Sequence, residues 1–161
     1  MTRTQTGIGV PQLSAIDDCA IGAHDVNGFI IGDGGITSAG DISKGFGAGA
    51  DFIMIGGLFG GHDENPGEII LKGGKKYKQF YGTSSDKAMN THYGKKEEYC
   101  SSEGRTLEIP YKGILKNTLE DLLGGVRSSC TYIGANKIEQ IPEKCQFIRL
   151  NNQLNKIYDT F

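Results

Sequence analysis

Two short apolar runs, each stopping on paired glycines, constrain this chain most: GFIIGDGG at residues 28–35 and ADFIMIGG at 50–57. Neither run alternates apolar with polar residues, so each predicts a strand buried on both faces, as in a parallel sheet. Between them SAGDISKGFG, residues 38–47, predicts a short, glycine-weakened helix with Ser38 as its N-cap. Strand, helix and strand at this spacing make a βαβ crossover. Ahead of it, PQLSAIDDCAIGAH (11–24) sets Leu13, Ile16, Ala20 and Ala23 at helical spacing behind Pro11. The fold class is therefore α/β, and Cys19 reads as a small core residue of that first helix.

Beyond residue 60 the chain turns polar. Residues 61–106 read as an insertion within one domain: KKYKQFYG is one arm of a surface hairpin, and 84–103 has no sustained period and predicts a mobile excursion. Order returns over 118–135, TLEDLLGGVRSSCTYIGA, where Leu119, Leu122, Leu123 and Val126 share one helical face and Gly124–Gly125 should interrupt it. QFIRL near the end predicts a last extended stretch.

At 161 residues the chain has the length of one domain. A net charge of −2 excludes a broad basic surface, so nucleic acid is not an expected partner. No apolar run approaches the roughly 18 residues of a membrane span and no signal segment opens the chain, which predicts a cytoplasmic protein. Cys19, Cys100, Cys130 and Cys145 show no metal-ligand spacing and read as reduced thiols. His62, beside Asp63 and Glu64, reads as part of a solvated loop, because consecutive residues do not converge on one metal ion.

Ligands of parallel α/β sheets bind outside the carboxyl ends of the strands. Glycines there let backbone N–H groups approach a phosphate, and a helix start adds a favourable dipole. Gly34 and Gly35 after one strand, with Gly56 and Gly57 after the next, suit a phosphate site; Asp33 suits ribose hydroxyls. The alternative is plain turn glycines, with Asp33 capping a helix.

GFIIGDGGITSAGDISKGFGAGADFIMIGGLFGGHDE resembles the last two strand-and-loop units of the IMP dehydrogenase and GMP reductase family, and the resemblance runs along essentially the whole chain. KKYKQFYGTSSDKAM, SSEGRTLEIPYKG and LLGGVRSSCTYIGA favour the reductase branch. The resemblance implies the carboxyl-terminal part of a (β/α)8 TIM barrel that binds GMP or IMP and NADPH, and that assembles as a tetramer when complete. It implies that Asp33 holds the ribose and that the backbones of Gly34, Gly35, Gly56 and Gly57 hold the phosphate. Gly82, Thr83 and Ser84 would contact phosphate and base, with Thr83 also near the cofactor; Ser102 and Gly104 would bind the guanine edge. Tyr99, Cys100 and Ser128, Ser129, Cys130 and Thr131 match cofactor positions, although Cys100 replaces a customary Arg. Arg3 borders the place where the family holds a monovalent cation such as K+.

The implied chemistry is reductive deamination of GMP to IMP and ammonia. A thiolate attacks purine C2, an acid protonates the departing amine, and NADPH delivers hydride. Thr2 and Glu103 match the proton-transfer pair. The attacking cysteine would fall before Met1, and the first barrel strands have no counterpart here. The expectation is a portion of a longer or split enzyme, inactive and poorly folded alone. Alternatives are a portion of an IMP dehydrogenase, or a non-catalytic chain that binds nucleotide or pairs with an amino-terminal half.

Overall fold

The computed structural model describes residues 2–82 and 106–151. Helix α1 (Thr2–Thr6) is followed by α2 (Gln12–His24), β1 (Ile31–Asp33), α3 (Ala39–Gly47) and β2 (Phe52–Met54). β1 and β2 pair in parallel, with Ile31 beside Phe52, Gly32 beside Ile53 and Asp33 beside Met54. The βαβ crossover read from the sequence is therefore present. Ser38 caps α3 as its spacing suggests, its hydroxyl accepting from the Asp41 N–H. Asp41 reciprocates by accepting from the Thr37 N–H and hydroxyl, a two-way closure of the helix start.

Burial on both faces does not hold for these strands. Gly32 is buried against Ile16, and Ile53 packs inward against Ile16 and Gly45. On the other face Ile31, Phe52 and Met54 stay 57%, 58% and 50% exposed. The described helices cover one side of the pair only. Ile53 joins the two apolar clusters, one around Ile16, Ala48 and Ala50, the other around Ile42, Leu122 and Val126.

The second cluster is closed by α4 (Leu115–Ile133). Contrary to expectation, Gly124 and Gly125 do not interrupt this helix. Gly125 lies where α4 meets α3, so close to Ala39 that a Cβ would collide with it. Leu122 and Val126 point into the contact, while Leu119 and Leu123 flank it with greater exposure. Cys19 also departs from its reading: it is exposed. It sits roughly a quarter-turn around α2 from the Ile16–Ala20 stripe, on a flank no described element covers.

The polar middle holds a three-stranded antiparallel sheet of β3 (Ile69–Lys72), β4 (Lys75–Tyr81) and β5 (Thr106–Pro110). KKYKQFY is indeed a hairpin arm, turned through Gly73–Gly74, whose φ values of 55° and 75° match the twist of a tight hairpin. Residues 84–103 lie outside the described residues. After α5 (Ile141–Lys144), QFIRL joins no ladder among the described residues.

Candidate functional site

Because β1 and β2 are parallel neighbours in register, their carboxyl ends lie side by side. Asp33 ends one and Met54 the other, and the glycine pairs follow immediately. Gly34 and Gly35 take φ of 91° and 77°, values that L side chains rarely adopt. Gly34, Gly56 and Gly57 have nothing within 4 Å of where a Cβ would stand. Among the described residues the N–H groups of Gly35, Gly57 and Leu58 donate to no acceptor. Bare, open backbone with free donors at adjacent strand ends is an arrangement that accepts an anion.

Asp33 is exposed, and its carboxylate makes no hydrogen bond among the described residues. The helix-capping alternative for it fails, since Ser38 fills that place. The Asp33 carbonyl is held instead by Gln12 Nε2 at 2.8 Å. Gln12, Leu13, Gly34, Gly35, Asp41 and Lys44 line a cavity of about 120 Å³ beside the first pair. Gln12 and Lys44 were not singled out in the sequence; Gln12 sits on the first turn of α2, and nothing in its spacing announces a bond to a strand 21 residues away.

Charges at this end are fixed locally. Asp41 is held down to about 2: burial, the largest influence, pushes it up, but hydrogen bonds from Thr37, Ser38 and Lys44 together outweigh it. Asp51, at the opposite ends of the strands, is also lowered, first by the Ile30 N–H at 2.8 Å, with His24 Nε2 at 3.1 Å adding to it after the opposing effect of burial.

The other expected site residues are dispersed or undescribed. Thr2 opens α1, which is closed by the Gly7 N–H donating to the Arg3 carbonyl at 2.8 Å. Arg3 itself is exposed, and no His, Cys, Asp or Glu cluster suited to a metal occurs among the described residues. Ser128 and Thr131 are exposed on the late turns of α4, with the Thr131 hydroxyl donating to the Arg127 carbonyl. Ser129 faces inward, taking a hydrogen bond from Ser43 at 2.9 Å and donating to the Gly125 carbonyl. Cys130 is half-buried. Gly82 follows β4; Thr83, Ser84, Tyr99, Cys100, Ser102, Glu103 and Gly104 lie outside the described residues.

The loop after the second pair holds what the sequence reading missed. Gly57–Phe59 forms a tight helical turn, and then His62, read as solvated, is 0% exposed. Its Nδ1 lies 3.0 Å from the Phe59 carbonyl and its Nε2 2.8 Å from the Thr118 hydroxyl on α4. A carbonyl only accepts, so Nδ1 carries the proton, and in the neutral ring Nε2 accepts from Thr118. Lys78 of β4, 5% exposed, donates to the carbonyls of His62 and Asp63 at 2.7 and 2.8 Å. Asp63 accepts from the Tyr111 hydroxyl at 2.7 Å, which raises the Tyr111 pKa, and Glu64 accepts from the Leu115 N–H at the start of α4. The signal available was GGHDE beside a strand containing an interior lysine.

With glycine-ended parallel strands, their crossover helix and the β4–β5 sheet in place, the similarity to known proteins can be read against the fold. A sequence model of the IMP dehydrogenase / GMP reductase domain matches residues 1–156. This chain belongs to that family. It is 54% identical to GMP reductase 1 of Homo sapiens over 98% of its own length and 46% of that protein's. Against the GMP reductase of Caenorhabditis elegans the identity is 51% over 99% of this chain and 45% of the relative, and against that of Phytophthora infestans 52% over 98% and 43%. The chain thus spans less than half the length of these relatives. The family assignment places the βαβ unit in a partial IMP dehydrogenase / GMP reductase domain of mixed α/β structure. No described helix is long and apolar enough to cross a membrane.

Proposed function

We propose that this chain is the carboxyl-terminal part of an NADPH-dependent GMP reductase, which converts GMP to IMP and ammonia. One observation carries the proposal: two neighbouring parallel strands end in open glycine backbone, with N–H groups on both loops and the Asp33 carboxylate at the end of β1 making no hydrogen bond among the described residues. In this reading the backbones of Gly34–Gly35 and Gly56–Gly57 bind the nucleotide phosphate, and the dipole of α3 assists. Asp33 accepts hydrogen bonds from ribose hydroxyls. Gly82, Thr83 and Ser84 extend the contacts to phosphate and base, and Ser102 and Gly104 hold the guanine edge.

Glu103 and Thr2 hold and deliver the proton that lets the purine amine leave as ammonia, because an unprotonated amine is a poor leaving group. The attacking thiol and the remaining barrel strands come from outside these 161 residues. NADPH, when bound, supplies the hydride. Ser128 and Thr131, exposed hydroxyls about one helical turn apart, are the foremost of the four α4 candidates for the dinucleotide, with Ser129 and Cys130 more covered between them. Tyr99, Cys100 and Thr83 are the further cofactor candidates, and the complete enzyme is a cytoplasmic tetramer.

Turnover distinguishes the branches of the family. The chain joined to the amino-terminal half of a GMP reductase should consume NADPH when given GMP and should not reduce NAD when given IMP. NAD reduction with IMP, without NADPH consumption, would make it a dehydrogenase portion.

A further inference from the structure

We propose that His62 and Lys78 form a buried joint through which nucleotide seated on the loop after β2 stiffens the β3–β5 sheet. The inference rests on the nucleotide reading above and adds a residue pair that acts through other groups: these are positioning residues. A peptide unit is planar, so fixing its carbonyl also fixes the direction of the N–H across the same bond. The loop is held by its carbonyls. His62 fixes that of Phe59, Lys112 Nζ lies 3.2 Å from that of Leu58, and Lys78 holds those of His62 and Asp63. The N–H groups of Gly57 and Leu58 share their peptide units with the Gly56 and Gly57 carbonyls, which accept from the Phe59 and Gly60 N–H groups at the start of the same gripped loop, and they make no hydrogen bond among the described residues.

The grip is two-sided. His62 ties the loop to α4 through Thr118, while Lys78 ties it to β4. Gly60 and Gly61 bring the loop hard against the sheet: a Cβ on Gly60 would come within 2.7 Å of Ile109 Cδ1 and 2.9 Å of Phe80 Cδ2, and one on Gly61 within 2.6 Å of the Pro110 carbonyl. Apolar side chains would fill the same space at less desolvation cost. A lysine on two successive carbonyls, beside a histidine with both nitrogens engaged, instead sets the orientation of the peptide planes between the glycine pair and β4. Displacement of this loop cannot occur without displacing β4 and β5, the strands that bracket residues 83–105.

The test is hydrogen exchange followed by mass spectrometry on the 161-residue chain, with and without saturating GMP. Three forms are compared: wild type, Lys78→Met, and Thr118→Val, which removes only the hydroxyl and serves if the lysine variant does not fold. In the wild type GMP should slow exchange in residues 56–60 and, by about tenfold, in the ladder amides of 77–80 and 107–110. In the variants the slowing at 56–60 should persist and that of the ladder should fall away. Loop slowing without ladder slowing in the wild type overturns the joint, and so does ladder slowing that survives in both variants. No slowing at 56–60 in the wild type overturns the nucleotide reading itself, and the relay with it.

Discussion

The two sheets solve burial in opposite ways. The parallel pair β1–β2 is built from aliphatic and aromatic residues, yet one of its faces, with Ile31, Phe52 and Met54, is bare. The antiparallel sheet β3–β5 mixes lysines and tyrosines with apolar residues, and it adjoins the best-buried polar groups described, His62 and Lys78. Apolar burial is non-directional and needs only a neighbour, which here must come from outside the described residues. Polar burial needs specific acceptors, and the sheet finds them in the carbonyls of its own adjoining loop. Both sheets leave apolar residues exposed among the described residues, Ile69, Leu71 and Leu107 on the second, but only the second also secures buried polar groups. That contrast fits a chain that spans less than half the length of its relatives.

The comparison breaks most readily at Lys78. Lys78→Ala leaves the His62 and Asp63 carbonyls without their donor and should cost about 1–3 kcal/mol for each orphaned group, read as a shift in the denaturant midpoint. Next come the glycines. Gly60→Ala should lose about 1–3 kcal/mol by overpacking against Ile109 and Phe80, whereas Gly57→Ala, with open space around it, should leave the midpoint unchanged. Equal losses at the two positions would erase the distinction between a packed loop and an open one.

Acid should act through the start of α3. The Asp41 carboxyl is held below its ordinary value of 3.8, at about 2, so its contribution is fully present above about pH 4 and is lost as pH falls through about 2. Asp41→Asn should flatten the melting temperature against pH over that window and lower it near neutrality, where the carboxylate's contribution is fully present. The smallest effect on stability is expected on the bare face. Phe52→Lys should leave the midpoint nearly unchanged and reduce self-association in sedimentation, because the ring is mostly exposed.

Sequence pattern carried the local architecture well. The crossover, the Ser38 cap and the hairpin arm follow from residue order and spacing, and each depends on neighbours within a few positions. What it missed depends on distant partners. His62 looked solvated because GGHDE is polar, and its burial is created by Thr118 and Lys78, 56 and 16 residues away. Gly124–Gly125 looked like a helix break because propensity penalises glycine, but close packing of Gly125 on Ala39 favours it there. Cys19 looked buried because periodicity identifies a stripe, not how widely it is covered. At the candidate site the glycine pairs and Asp33 were legible as strand endings, whereas the supporting Gln12 contact was not.

Nucleotide binding at the paired strand ends is measured most directly by calorimetric titration of GMP into the purified chain. Saturable binding that is lost in Gly35→Val and Gly57→Val, and retained in Ser129→Ala, is the predicted result. Absence of binding, or binding indifferent to both glycine substitutions, would contradict it.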